Sequence, residues 1–302
     1  MNLDFFKQTR ILDGGMGQEL LSRGMIPYGT LWSASALIQE KYHKLLLDTH
    51  LDFIKSGAEV IVTTTFTTRK TRLKDNGVED KFEYLNRKAG EIACKAKKIY
   101  PNILIAGGLP PQYSTYEADT RSDKEIADDF SEQANLLDPY IDFFYFDVLS
   151  SVREFQIAID SIRSFNKPYL IGAHISEGIH LPSGEKISEI VTKINHEKLL
   201  GIMLSCISPE NYELNQNELK NLKIPFGFKL NAFIRTNPKP NYTGAYKKSK
   251  SGNPNEFLGV RDDLTPNKML EFAKKFKKNG ATILGGCCEI GPAHIKEFAK
   301  LK

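Results

Sequence analysis

The chain of 302 residues holds four cysteines, and two of them, Cys287 and Cys288, are adjacent behind Gly285-Gly286. Cys206 precedes Cys287 by 287 − 206 = 81 positions and ends the run GIMLSC, while Cys94 stands alone in a charged, amphipathic segment. Thiolates are soft ligands, and a zinc ion with three protein ligands keeps a fourth position open, the mark of a catalytic site. Two other readings use the same atoms. Cys287 and Cys288 would also serve as a vicinal redox pair, and buried free cysteines are commonly just small hydrophobes, which suits Cys94. In an extended chain consecutive side chains face opposite ways, so Cys287 and Cys288 need a turn to converge, and the two glycines permit one.

Thiols so distant in sequence meet only if the ends of their strands share one rim. Short runs rich in β-branched or aromatic residues lie at 10–13, 59–66, 103–107, 141–147, 169–174, 201–206, 225–230 and 281–286. Amphipathic segments at 35–55, 83–99, 124–137, 152–164, 187–196, 211–222 and 264–278 separate them. In the first, Leu47, Leu51 and Ile54 form a core-facing stripe and Ser56-Gly57 supplies a stop. This alternation is the signature of a parallel sheet wrapped by helices, and it predicts an α/β protein folded as one (β/α)8 TIM barrel over 1–302. An open doubly wound sheet is the rival, but no G-x-G-x-x-G turn follows the first strand. Active sites of such barrels form on the C-terminal rim of the strands, where Cys206, Cys287 and Cys288 would converge. Residues 236–255, rich in Pro, Gly, Asn and Lys, show neither period and are expected as a long loop, with Lys247, Lys248 and Lys250 on a solvated face.

Charge and composition narrow the class further. Forty-one Lys+Arg against 37 Asp+Glu leave a formal charge of +4, and 41% apolar with 26% charged residues is ordinary globular usage. Disorder, collagen and coiled coils are excluded. No concentrated basic stripe marks a nucleic-acid partner. No stretch reaches the ~18 apolar residues of a membrane helix, and Met1-Asn2-Leu3-Asp4 puts a carboxylate where a signal peptide wants cations. The expectation is a cytoplasmic protein with reduced thiols, no membrane partner and small-molecule ligands.

A second polar constellation follows the first strand. In Asp13-Gly14-Gly15-Met16-Gly17 the backbone N–H groups of Gly14, Gly15 and Met16 suit an α-carboxylate, and Asp13 suits an α-ammonium. The alternative is an ordinary glycine turn with a capping Asp. Thr63, Thr64 and Thr65 at the end of the second strand would line the same rim, although a Thr-rich strand end also reflects β propensity alone.

Taken in order, these motifs resemble the homocysteine S-methyltransferase family, the zinc-dependent enzymes that move methyl groups onto thiols. The carriers are the Asp13–Gly17 segment with Glu19-Leu20, Leu31-Trp32-Ser33-Ala34, His50 ahead of Gly57-Ala58-Glu59, and Thr63-Thr64-Thr65-Phe66. Cys206 with Ser208-Pro209-Glu210, and Gly280-Ala281 through Gly285-Gly286-Cys287-Cys288 to Pro292, His294 and Ile295, complete the set almost end to end. The resemblance implies a barrel whose Zn²⁺ is held by Cys206, Cys287 and Cys288, with a thiol acceptor as fourth ligand. It implies an amino-acid pocket built from Asp13, Gly14, Gly15, Met16, Thr64, Thr65 and Asp147, and an Asn231 whose amide oxygen can reach the zinc when substrate is absent.

The implied reaction is transfer from a sulfonium donor, S-methylmethionine or S-adenosylmethionine, to homocysteine, giving methionine. The chain has no room for the cobalamin and folate modules of large methionine synthases. Departures from the family pattern cluster near the amino-acid pocket: Asp147 stands for a Glu, Thr64 and Ser205 for Asn, and Glu289-Ile290 for Gly-Thr. They leave open another small thiol or selenol as acceptor, and a non-catalytic zinc- or amino-acid-binding barrel is a further alternative. His174 is expected as a hydrogen-bonded structural imidazole, His50 and His294 as supports for loops, and His43, His180 and His196 as surface or loop residues.

Overall fold

The structure, a computed structural model, describes residues 1–194, 196–234 and 247–302. Eight strands form one parallel sheet: β1 Arg10–Ile11, β2 Val60–Val62, β3 Leu104–Leu109, β4 Phe143–Leu149, β5 Tyr169–Ala173, β6 Leu199–Ile207, β7 Phe226–Leu230 and β8 Ile283–Gly286. Their order is β1-β8-β7-β6-β5-β4-β3-β2. Leu12 and Val60 make a parallel bridge, and the Asp13 N–H donates to Val60 O at 3.0 Å, so the first and second strands close the sheet into a barrel. The expected (β/α)8 architecture is therefore present.

Strand alternation sorts the side chains into two layers. On β4, Phe143 and Tyr145 enter the barrel with Leu12, Val60, Leu170, Met203 and Ile283, while Phe144 and Phe146 pack outward under the helices. Phe6, from the short turn Phe5–Lys7, plugs the N-terminal mouth, fully buried and edge-on to Phe143 with ring centroids 6.0 Å apart. The outer ring includes helices His43–Lys55, Phe82–Ile99, Asp123–Leu137, Val152–Ser161, Ile187–Lys193, Pro209–Asn221, Pro266–Lys278 and Pro292–Ala299. The first of these ends where the sequence indicated: Gly57 takes φ +110° and Ala58 N donates to Phe53 O at 3.1 Å.

Two elements depart from expectation. The segment 35–55 is not one helix but begins with the short pieces Ser35–Ile38 and Glu40–Tyr42. The second strand stops at Val62 because the threonines after it bond locally. Thr65 Oγ1 donates to Gly108 O at 2.6 Å, Thr67 Oγ1 to Leu31 O at 2.6 Å and Thr68 Oγ1 to Thr65 O at 3.0 Å. Of the long loop at 236–255, residues 236–246 lie outside the described residues. Its later part approaches the barrel mouth, where Ser251 O accepts from Trp32 N at 3.2 Å. Among the described residues no helix is long and apolar enough to cross a membrane.

Because Phe6 is fully buried at the closed end, Phe6→Ala should cost about 3–5 kcal/mol, as large core truncations do. A urea midpoint unchanged from the parent would show that the plug is dispensable.

Candidate functional site

Strand alternation by itself would misplace Cys206. On β6, Met203 and Ser205 face the barrel interior and Ile202 and Leu204 face the helices, so position 206 should point outward. A bulge between Ser205 and Ile207, with Cys206 at φ +54°, turns its side chain onto the rim instead. Ser208 then fixes the exit, accepting from Asn211 N at 3.2 Å as the N-cap of Pro209–Asn221. β4 uses the same device, with a bulge between Asp147 and Leu149 and Val148 at φ +69°.

The adjacent pair converges through a turn closed by Ile290 N donating to Cys287 O at 3.1 Å. Its left-handed residue is Glu289, φ +69°, and not a glycine. Gly285 and Gly286 serve close packing instead: a Cβ on Gly286 would lie 2.3 Å from Ile290 Cγ2. The Gly14-Gly15 pair has the same duty from the other side, since a Cβ on Gly14 would sit 1.9 Å from Ile290 O and one on Gly15 2.6 Å from Cys287 O. Strand β1 and the cysteine turn thus fit together only through glycine.

As a result the three sulfurs meet. Cys206 Sγ lies 4.0 Å from Cys288 Sγ, Cys287 Sγ lies 3.9 Å from Cys288 Sγ, and all three fall within 4.8 Å of one another. Tetrahedral Zn–S bonds of about 2.3 Å place sulfurs about 3.8 Å apart, so the donor set fits one metal ion. Burial opposes ionisation of Cys206, but hydrogen bonds from Cys287, Cys288, Tyr116 and Asn231 outweigh it and hold this thiol well below its ordinary value. Cys287 and Cys288 are pushed up in turn, Cys287 chiefly by its bond to Cys206 and Cys288 chiefly by burial. Tyr116 Oη is 2.9 Å from Cys206 Sγ, and Tyr116 stacks on His174 with centroids 4.3 Å apart.

The sulfurs border a cleft that Asp13, Gly14, Gly15, Met16, Thr64 and Asp147 also line. Thr65 does not reach it, because its hydroxyl is bound to Gly108 O and Thr63 Oγ1. The Gly15 N–H is not available to a carboxylate either, since it donates to Ile290 O at 2.9 Å. Asn231 turns its amide nitrogen, not its oxygen, toward the cluster: Nδ2 donates to Cys206 Sγ at 3.6 Å and Oδ1 accepts from Phe233 N at 3.4 Å. His174 is the structural imidazole expected, contacting Ser176 Oγ at 2.6 Å and Ser205 O at 3.3 Å, with burial lowering its pKa to about 4. His50 is fully buried, and Cys94 packs beside the core with Sγ donating to Tyr140 O at 3.4 Å.

Three further groups of the cleft carry chemistry that the sequence reading did not assign. Trp32, Phe66 and Tyr116 form an aromatic wall, with Trp32 edge-on to Phe66 at 6.4 Å. Tyr145 Oη donates to Asp147 Oδ1 at 2.7 Å and lies 2.5 Å from Ser205 Oγ, which fixes the Asp147 carboxylate. Lys229 extends into the barrel from β7, its Nζ 3.6 Å from Asp13 Oδ1. A lysine at an inward position of an otherwise apolar strand was the available signal for it. Burial pushes Asp13 and Asp147 up to about 6 against the opposing charge of Lys229. Seven described non-glycine residues have positive φ; Trp32, Tyr116, Val148 and Cys206 line this cleft, and Glu289 follows Cys288 directly. Backbone strain is therefore concentrated at the site.

The fold and these three convergent thiols define a (β/α)8-barrel enzyme with a metal-ready thiolate centre. The sequence pattern of the homocysteine S-methyltransferase family matches residues 10–301. Homocysteine S-methyltransferase 3 of Zea mays is 23% identical, covering 95% of this chain and 88% of the relative. Selenocysteine methyltransferase of Astragalus bisulcatus is 24% identical, covering 99% and 94%. The metallated form of the homocysteine methyltransferase MmuM from Escherichia coli superposes in fold with a TM-score of 0.78 at 20% identity, over 98% of this chain and 96% of that one. The chain belongs to the homocysteine S-methyltransferase family, whose members transfer a methyl group to a thiol acceptor.

Each of Cys206→Ser, Cys287→Ser and Cys288→Ser should abolish stoichiometric metal binding while the far-ultraviolet circular dichroism stays at the parent level; a metal-replete single variant would refute the shared centre. Tyr116→Phe, which removes only the hydroxyl facing Cys206, should weaken metal affinity by on the order of tenfold, read by competition with a chromogenic chelator.

Proposed function

We propose that this protein is a zinc-dependent S-methyltransferase that moves a methyl group from a sulfonium donor, S-methylmethionine or S-adenosylmethionine, to homocysteine, with methionine as product. The observation that carries the reading is the placement of three sulfurs, 3.9 and 4.0 Å apart along the two shorter edges, beside a cleft with two carboxylates. A Zn²⁺ bound by Cys206, Cys287 and Cys288 would supply a Lewis acid with one open position, which lowers the pKa of an acceptor thiol from about 8.5.

The chain's own residues do the rest. Three thiolates carry one more negative charge than Zn²⁺ neutralises, so the centre keeps an incoming sulfur electron-rich, and Tyr116 and Asn231 moderate this charge by donating to Cys206. Asp147, held by Tyr145, and Asp13, whose Oδ1 accepts no hydrogen bond, provide two anionic sites for an α-ammonium. The aromatic side chains of Trp32, Phe66 and Tyr116 also line the cleft and suit a sulfonium cation, whose attraction to the ring quadrupole strengthens where water is excluded.

The acceptor's thiol proton is released to solvent. Its sulfur lone pair then forms a bond to the methyl carbon as the donor's methyl–sulfur bond breaks, and that electron pair remains on a neutral thioether. Catalysis by this chain is mostly positioning of the two sulfurs in line. A selenol would occupy the same place, in keeping with the named activity of the Astragalus bisulcatus relative.

Elemental analysis should find one zinc per chain, and a panel of thiols with both sulfonium donors should give methionine from homocysteine. Zinc-replete protein that methylates no thiol would leave only a binding role. In the same assay Asp147→Ala should raise the acceptor KM by roughly ten- to a hundredfold with a smaller change in kcat, the signature of lost uniform binding; an unchanged KM removes Asp147 from the pocket.

A further inference from the structure

Lys229 is an unusual group to find inside a barrel. It projects inward from β7 with its side chain only 6% exposed, and the neighbouring strand β8 makes room for it. A Cβ on Gly285 would lie 3.2 Å from Lys229 Cγ, so the glycine before the cysteine turn clears the path of the lysine stem. Burial would push the ammonium toward neutrality, yet Asp13 and Asp147 outweigh it and hold its pKa above the ordinary lysine value. The side chain lines the same cleft as the three sulfurs.

As a counter-ion it is poorly arranged. Its Nζ stands 3.6 Å from Asp13 Oδ1, beyond hydrogen-bond range, and Oδ1 itself accepts no hydrogen bond. The charges of Asp147 and Cys287 also act on it, and the Tyr145 ring lies 5.4 Å away at its centroid. A buried ion pair is expected to close up and satisfy its donors, because an unsaturated one leaves desolvation uncompensated. Here both ions stay open toward the same cleft. Of the three N–H groups that suit a carboxylate, Gly15 already bonds Ile290 O, so Lys229 would add a charged donor to those of Gly14 and Met16.

We propose that Lys229 is a specificity-determining residue that binds the carboxylate of the acceptor, so that Asp13, Lys229 and Asp147 read the acceptor as an α-amino acid. This rests on the methyl-transfer reading above for the identity of the ligand. Two carboxylates and one ammonium line the same cleft and act on one another, which supplies partners for both the plus and the minus of a zwitterion. A thiol with an amine but no carboxylate would leave the lysine unpaired. One with a carboxylate but no amine would leave both aspartates facing the anionic sulfur cluster.

The test uses thioethers, which mimic the methylated product and need no turnover: methionine, methylthiopropylamine (methionine without its carboxylate) and methylthiobutanoate (methionine without its amine). Calorimetry with the zinc-loaded parent should show methionine binding at least about tenfold more tightly than either analogue, the usual worth of one charge-assisted contact. Lys229→Met should weaken methionine and methylthiobutanoate by on the order of tenfold or more and leave methylthiopropylamine unchanged or tighter, while Lys229→Arg should restore much of the preference. Equal binding of methionine and methylthiopropylamine by the parent, which needs no variant to fold, overturns the proposal. A uniform loss for all three ligands in Lys229→Met also overturns it, because a packing role would act that way. Protein that methylates no thiol but keeps the carboxylate discrimination refutes methyl transfer and sustains Lys229 as the carboxylate reader. Transfer to amine-free or carboxylate-free thiols in preference to homocysteine does the reverse.

Discussion

Convergence of three sulfurs on one point is the constraint around which the rim of this barrel is built. Cys206 and Cys288 are 82 positions apart, and neither regular strand pairing nor a regular turn would aim them together. A bulge on β6, left-handed backbone at Cys206 and Glu289, and glycines at 14, 15 and 286 each remove one obstacle. Such conformations cost of order 1–3 kcal/mol apiece and persist only where the surroundings over-determine them. The plugged barrel beneath, with Phe6, Phe143 and Tyr145 fully buried, supplies that rigidity.

Charged and aromatic groups share the cleft. The thiols, Asp13, Asp147 and Lys229 line it together with the aromatic rings of Trp32, Phe66 and Tyr116, and Trp32 and Tyr116 pack in one cluster with Cys206 and Cys288. Tyr116 belongs to both, since its ring joins the wall while its hydroxyl meets Cys206. Tyr145 has a comparable double position in the core, with its ring below Lys229 and its hydroxyl holding Asp147.

Family membership sets the reaction class, methyl transfer to a thiol acceptor. Asp147, shorter than the Glu it replaces, is supported by Tyr145, which also meets Ser205, another departure. These substitutions lie in one connected network at the amino-acid end, whereas the three sulfur positions are kept.

Read alone, the amino-acid sequence was sufficient for the barrel, for the order of its strands and for the identity of the three thiols, because hydrophobic periodicity and motif spacing are local properties of the chain. Thr65 and the Gly15 N–H were legible as polar groups at a strand end, but their commitment to Gly108 and Ile290 depends on partners far away in sequence. Tertiary structure alone decided that Cys206 turns inward against the strand period, that Asn231 offers its nitrogen, and that Lys229 shares a cleft with two aspartates. The reason is physical: direction at a bulge and the pairing of buried charges are set by closure of the whole sheet, which no window of sequence contains.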